Sequence, residues 1–418
     1  MTRIHPSPTY RTLLAHRAFA LLWIGQAIST FGDALYDVAL LWYVFGATHS
    51  ALAAGGIGIA VTAGRLLASV PAGAIVDRAP LRRTMLLADL ARGVLTLAVG
   101  LAWLRGTVPP LPLLYGLAFL VSVGGAFFDP ARAAAVPAIL PADHLVAANA
   151  LDGLFASLTF LVTWALSGLI VAAIGPAYAL LLDAGTFLAS CCLVAGARWD
   201  GDDRPVVMAT ADVPGQRPVA DLREGLRWAW QDRPVRAMLL AQGAFTATSS
   251  LFFTGLVPYF RQHLHGGAAL YGLQGAVFAA GLGVASWLIG WRSVRRIGLL
   301  YSLGLVVNGV GNSLFSLAPT IWYLLPAVFV AGLGKAAHAT GERTLLQIRA
   351  PARLRGRVFV LWGTLAQVIA VPMLALGGWL SDHLTAQPVL LATSLMHVGI
   401  GLWLRSRPYL AHAELPAA

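Results

Sequence analysis

Residues 51–104 read ALAAGGIGIAVTAGRLLASVPAGAIVDRAPLRRTMLLADLARGVLTLAVGLAWL, two long apolar runs joined by a short gap holding Arg78, Arg82 and Arg83. A hydrocarbon core of about 30 Å needs about 20 apolar residues of helix, and the runs 51–76 and 84–104 both suffice. The gap is too short for a soluble domain, so the chain crosses a bilayer, turns and crosses back. Working outward, ten more runs follow the same pattern: 19–45, 111–136, 149–174, 177–196, 236–260, 270–291, 298–317, 322–346, 356–381 and 388–405. The reading is an all-α polytopic membrane protein with twelve transmembrane helices.

The basic residues orient it. Twenty-four of the 29 occupy alternate gaps between runs, the run ends that border those gaps, or the two tails. They begin with Arg3, Arg11 and Arg17, continue through Arg78, Arg82, Arg83 and Arg132, and gather between the sixth and seventh runs from Arg198 to Arg236. Arg292, Arg295 and Arg296 follow, then Arg343 to Arg357, then Arg405 and Arg407. The other set of gaps holds only Arg105 and Arg261, while Arg65, Arg92 and Lys335 lie within runs. Cytoplasmic loops carry the Lys/Arg excess. The expectation is therefore a multi-pass cell (inner) membrane protein with both termini cytoplasmic. A net charge of +11 is then a matter of insertion and of membrane lipid as a partner, and no nucleic-acid partner is expected. The first run is too long for a signal-peptide core, so it is expected to stay as the first span. Cys191 and Cys192 are adjacent within one run and suggest neither a disulfide framework nor a metal site.

The one long polar stretch, 197–235, divides the chain into an N-terminal six-helix half (1–196), a cytoplasmic linker and a C-terminal six-helix half (236–418). Asp221 to Asp232 has helical spacing, with Leu222, Leu226 and Trp230 on one side and Arg223 and Arg227 beside them. A helix on the membrane surface and a soluble linker helix are both open readings. A short repeat relates the halves. Gly73 to Arg82-Arg83 in the second span parallels Gly290 to Arg295-Arg296 in the eighth, and Pro137–Pro141 parallels Gln347–Pro351. Six spans per half give pseudo-symmetric halves of the same direction.

Gly73-Ala-Ile-Val-Asp77-Arg78-Ala-Pro80-Leu-Arg82-Arg83 resembles the signature loop of the major facilitator superfamily. That loop reads Gly, three residues, Asp, a basic residue, any residue, Gly, any residue and two basic residues; here Pro80 replaces the second Gly. Trp23 to Asp33, Asp129-Pro-Ala-Arg132 and Leu354-Arg-Gly356-Arg357-Val-Phe resemble the branch that holds macrolide efflux proteins and the enterobactin exporter. The resemblance implies the major facilitator fold, alternating-access transport, usually export driven by proton re-entry, and a monomer. It implies a gating role for Gly73, Asp77, Arg78, Arg82 and Arg83. Physically, Asp77 suits the positive end of a helix dipole, and the arginines suit acids or lipid phosphate. Such a latch would hold the cytoplasmic side closed in the outward-facing state.

A charge at mid-bilayer costs about 2.5–3.5 kcal/mol, so each asks for a partner or a role. The first span carries Gln26, Thr30, Asp33 and Asp37 along one stripe, and Arg65 lies at similar depth in the second. Burial favours a protonated acid and a nearby arginine favours an ionised one, and proton coupling needs a carboxylate balanced between the two. A static Asp–Arg pair is the alternative. Lys335 is the only lysine, with His338 and Glu342 on its stripe. It is expected to meet substrate or to form a structural bridge to Glu342 or Asp33. Asp89, Arg92, Asp129 and Arg132 read as a structural charge cluster on the cytoplasmic side, joined by Asp152. Asp183 has no assignment, and Asn308 and Asn312 are expected to bond between helices.

The function expected is a secondary active transporter exporting an amphipathic small molecule (drug, antibiotic or siderophore-like) by proton antiport, without a cofactor. Phe31, Trp42, Phe127, Phe128, Phe252 and Phe253 suit such a ligand, or plain helix packing. An importer or a lipid or metabolite transporter of the same fold is the alternative. A membrane enzyme or receptor is disfavoured, since there is no His-Glu-x-x-His and no nucleophile elbow. Gly332-Leu-Gly334-Lys335 fails as a phosphate loop because Phe329 and Ala336 stand at its required Gly and Ser/Thr positions.

Overall fold

The computed structural model describes residues 13, 15–76, 78–141, 144–199, 218–292, 296–351 and 354–411. Asp77, Arg295, Arg3 and Arg11 lie outside them, as does the side chain of Asp152. The described residues form helices and no strand, as a bilayer demands of a chain whose backbone must bond to itself.

α1 runs Arg17–Thr48, α2 Ala51–Val76, α3 Leu81–Leu104 and α4 Leu111–Ile139. A 52-residue helical run, Leu145–Gly196, breaks at Gly175 (φ 79, ψ 170) into α5 (145–174) and α6 (176–196). Only glycine adopts that backbone freely, and Pro176 behind it starts a helix readily because it needs no amide partner. After α7 (Pro218–Gln231) come α8 (Arg233–Pro258), a π-helical turn (Tyr259–His263), α9 (Ala268–Arg292) and α10 (Ile297–Ser316). α11 (Ile321–Arg349), α12 (Arg355–Leu384), α13 (Ala386–Arg405) and the short α14 (Pro408–Ala411) complete the chain.

All twelve expected runs fall on helix. Among the described residues, ten helices are long and apolar enough to cross a membrane, one of them containing the Gly175 break. α8 is the remaining segment, and Arg233, Arg236, Gln242 and a series of Ser and Thr residues make it the more polar one. Asp232 caps α8, its side chain accepting from Val235 N at 3.0 Å.

α7 packs on α12. Gly225 and Ala229 form its buried face, while Leu226 and Trp230 stay exposed. Arg357 on α12 pairs with Glu224. The linker helix is thus docked by Gly225, Ala229 and Trp228, which packs against the buried core around Val358 and Trp362.

The chain divides into two compact units, one drawn from Met1–Leu40 and Ala63–Ala211, the other from Leu41–Thr62 and Asp212–Ala418. The end of α1 and the start of α2 therefore cluster with helices of the chain's second half. Helix backbones approach closely at small residues, as packing in lipid requires. In the second unit the contact is reciprocal: a Cβ on Gly281 of α9 would strike the Phe329 carbonyl of α11, and one on Gly332 of α11 would strike that of Phe278. Asn308 joins α10 to α11, donating to the Ala331 carbonyl at 2.9 Å, whereas Asn312 bonds back to Asn308 within α10.

Candidate functional site

In the first unit, α1 presents its polar stripe in sequence order. Gln26 donates to Thr30 Oγ1 at 3.1 Å, and Thr30 returns a bond to the Gln26 carbonyl at 2.8 Å. One turn on, Asp33 is half-buried, and Asp37 and Arg65 are accessible. Asp33 lies within electrostatic reach of Arg92 and Arg65, and of the carboxylates of Asp129 and Asp89.

Arg92 is the hub. It is 5% exposed and bonds the fully buried Asp89, whose other oxygen accepts from Ser190 Oγ at 2.6 Å. Its guanidinium lies 4.3 Å from the Phe187 ring centre and 5.1 Å from that of Phe128, a desolvated cation–π arrangement. Gly124 on α4 leaves room for its stem, since a Cβ there would lie 2.7 Å from Arg92 Cγ. Phe128 thus serves the arginine, as packing.

Asp183 on α6 joins this group. It is fully buried, within reach of Asp33, Arg92 and Asp37, and packed where Gly32 of α1 has no side chain. Thr186 Oγ1 sits 3.4 Å from Asp183 Oδ1, and Asp183 Oδ2 has no hydrogen-bond partner among the described residues. Tyr36 is buried beside the same three aspartates, its hydroxyl likewise without a partner among the described residues. The residues that sequence spacing sorts into a transport site (Asp33, Asp37, Arg65) and a separate structural cluster (Asp89, Arg92, Asp129) are therefore electrostatically continuous. Sequence spacing alone gives Asp183 no partner. Its signal was being the only carboxylate in the run 177–196.

The second unit holds its own group. Lys335 Nζ lies 4.2 Å from the Phe245 ring centre. His338 and His397 each approach that ring at 4.7 Å, and His338 stacks on Tyr301 at 5.1 Å. Glu342 is within electrostatic reach of Lys335 and Tyr301. His338 Nδ1, His397 Nδ1 and the Tyr301 hydroxyl are buried without a partner among the described residues. His397 on α13, a lone histidine in an apolar run, was not legible as a member.

Of the signature-loop residues, Gly73 sits in the last turn of α2 with open space where a Cβ would stand. Arg78 and Arg83 are exposed. Arg82 reaches the end of α6, donating to the Val194 carbonyl at 3.3 Å and to the Ala195 carbonyl. A cation there complements the negative end of a helix. Arg132 is half-buried, about two turns before the end of α4.

Residues 9–416 match the family model described as transmembrane secretion effector, a branch of the major facilitator superfamily. The chain belongs to that superfamily. Among curated relatives, this transporter is 27% identical to the multidrug efflux pump Tap of Mycolicibacterium fortuitum over 405 residues, 92% of this chain and 94% of that one. It is 24% identical to macrolide efflux protein A of Streptococcus pyogenes, covering 85% and 87% of the two chains. A POT family transporter solved with 5-aminolevulinic acid superposes with a TM-score of 0.74 at 13% identity, over 97% of this chain and 98% of that one. That likeness concerns the fold. The facilitator is a multi-pass membrane protein that handles a small-molecule substrate.

Proposed function

We propose that this facilitator exports an amphipathic small molecule, such as a drug, an antibiotic or a siderophore-like compound, across the cell (inner) membrane in exchange for protons. It works as a monomer by alternating access rather than as an enzyme, with both termini cytoplasmic. The relatives named as efflux pumps support the direction. The observation that carries the coupling is the first-unit cluster, where Asp33 reaches both Arg92 and Arg65, Asp89 and Asp183 reach Arg92, Asp37 reaches Arg65, and Asp129 lies near Asp33 and Asp89. A low-dielectric site with more carboxylates than guanidinium groups favours holding protons, and a passing cation or a change of access shifts that balance. Asp33, half-buried, and Asp37, exposed, carry the exchange; Gln26 and Thr30 continue the stripe toward substrate. In the second unit Lys335 and Glu342, with His338 and His397, supply a second polar contact for ligand or proton. Gly73, Asp77, Arg78, Arg82 and Arg83 gate the cytoplasmic side.

The test is a drug and siderophore efflux panel in cells with and without a protonophore, wild type beside Asp33→Asn. Export of some compound that both the protonophore and Asp33→Asn abolish is expected. Export surviving both treatments would remove proton coupling through Asp33.

A further inference from the structure

A helix N-terminus presents unpaired amides with partial positive charge, and a C-terminus presents carbonyls with partial negative charge. The turn between α1 and α2 is only His49 and Ser50 long, so both kinds of end lie side by side at one tip. A carboxylate from α12 meets the amides, and Arg261 of the π-helical turn lies against the last turns of α1, beside Gly46.

Ser50 caps α2 in the ordinary way, its Oγ accepting from Ala53 N at 3.1 Å. It also donates to Asp382 Oδ2 at 2.6 Å. Asp382, near the end of α12, then accepts from Ala51 N at 2.5 Å and Leu52 N at 3.1 Å. The first three amides of α2 are thus satisfied, two of them by a carboxylate more than 300 residues away in sequence. Gly378 makes the approach possible, since a Cβ there would lie 2.5 Å from Leu52 Cα. It stands four residues before Asp382, on the same helical face. On the α1 side, Arg261 donates to the Trp42 carbonyl at 3.0 Å and covers the Trp42 indole at 4.4 Å. Below the tip, Ala54, Phe253 and Leu374 enclose a cavity of about 10 Å³, room for one water at most.

We propose that Asp382 is a positioning residue for transport. By capping α2 from α12 it latches the outer mouth, and it lets go when that mouth opens. Alternating access requires the outer ends of the first two spans to part from the second half of the chain. Ser50 keeps its own bond to Ala53, so α2 retains a cap in both states. The carboxylate cap exists in the closed state alone, so removing it shifts the balance toward the open one. The latch shares no residue with the charge clusters and needs no particular substrate. Its outward placement rests on the arginine distribution.

The experiment uses the full-length transporter in cells, with Cys191→Ala and Cys192→Ala, and Ala54→Cys as reporter under the tip. A membrane-impermeant maleimide is added from outside. Losing a charge-assisted cap on an exposed helix end shifts a two-state balance by about fivefold. Asp382→Ala should therefore raise the labelling rate of Ala54→Cys about fivefold, Asp382→Asn less, and Asp382→Glu should restore most of the closure. A second reporter, Ala336→Cys on α11, is buried in the same unit and should not change. Equal labelling of Ala54→Cys in wild type and Asp382→Ala would overturn the latch. So would equal rises at both reporters, which mean general loosening.

Discussion

Replacing Arg92 by methionine keeps most of the stem's volume and removes the guanidinium, leaving Asp89 fully buried with Ser190 as its remaining partner. Two routes give the cost. Removing one member of a buried ion pair typically costs about 3–5 kcal/mol. Alternatively Asp89 escapes by taking a proton, at about 1.4 kcal/mol for each pH unit between an ordinary aspartate and pH 7, which is roughly 4 kcal/mol. The lost stacking on Phe187 and Phe128 adds about 1 kcal/mol. The expected loss is thus about 4–6 kcal/mol, or roughly 15 °C in melting temperature for a unit of this size. Tryptophan fluorescence of the purified protein during heating reads it. The double variant Arg92→Met with Asp89→Asn removes both charges and should recover most of the stability. Transport should not return with it, because Asp33 and Asp183 still lack the arginine they share with Asp89. A single variant melting within about 2 °C of wild type would refute the buried-pair argument. A double variant that transports normally would show that Arg92 serves packing only, and the continuous cluster would be wrong.

Asp183→Asn should leave the melting temperature unchanged or slightly higher, since it removes a buried carboxylate with an unpartnered oxygen. Proton-dependent export should fall at least about tenfold; unchanged export across pH would remove Asp183 from the coupling group. Gly332→Val places side-chain atoms against the Phe278 carbonyl of α9. Overpacking of this kind costs about 1–3 kcal/mol or more. Folded yield in the membrane should drop sharply, measured by fluorescence-detected size exclusion.

The sequence by itself determined the helices and, to within a few residues, most of their ends. Those properties are set by solvent: an apolar run and an arginine-rich gap each respond to the membrane without reference to any other part of the chain. Even the break between α5 and α6 was readable, because Gly175-Pro176 acts through its own backbone. Which charges meet was decided only by tertiary structure. Counting along a helix gives depth and face, so it could align Gln26, Thr30, Asp33 and Asp37. Counting gives no rotation relative to a neighbour. Arg92 meets Asp33 and Asp183 because Gly32 and Gly124 let α1, α3, α4 and α6 come close. Asp382 reaches the amides of α2 because Gly378 removes the one side chain that would keep α12 away. In both places the partner is chosen by how closely two backbones approach, a property of a pair of helices that neither sequence carries alone.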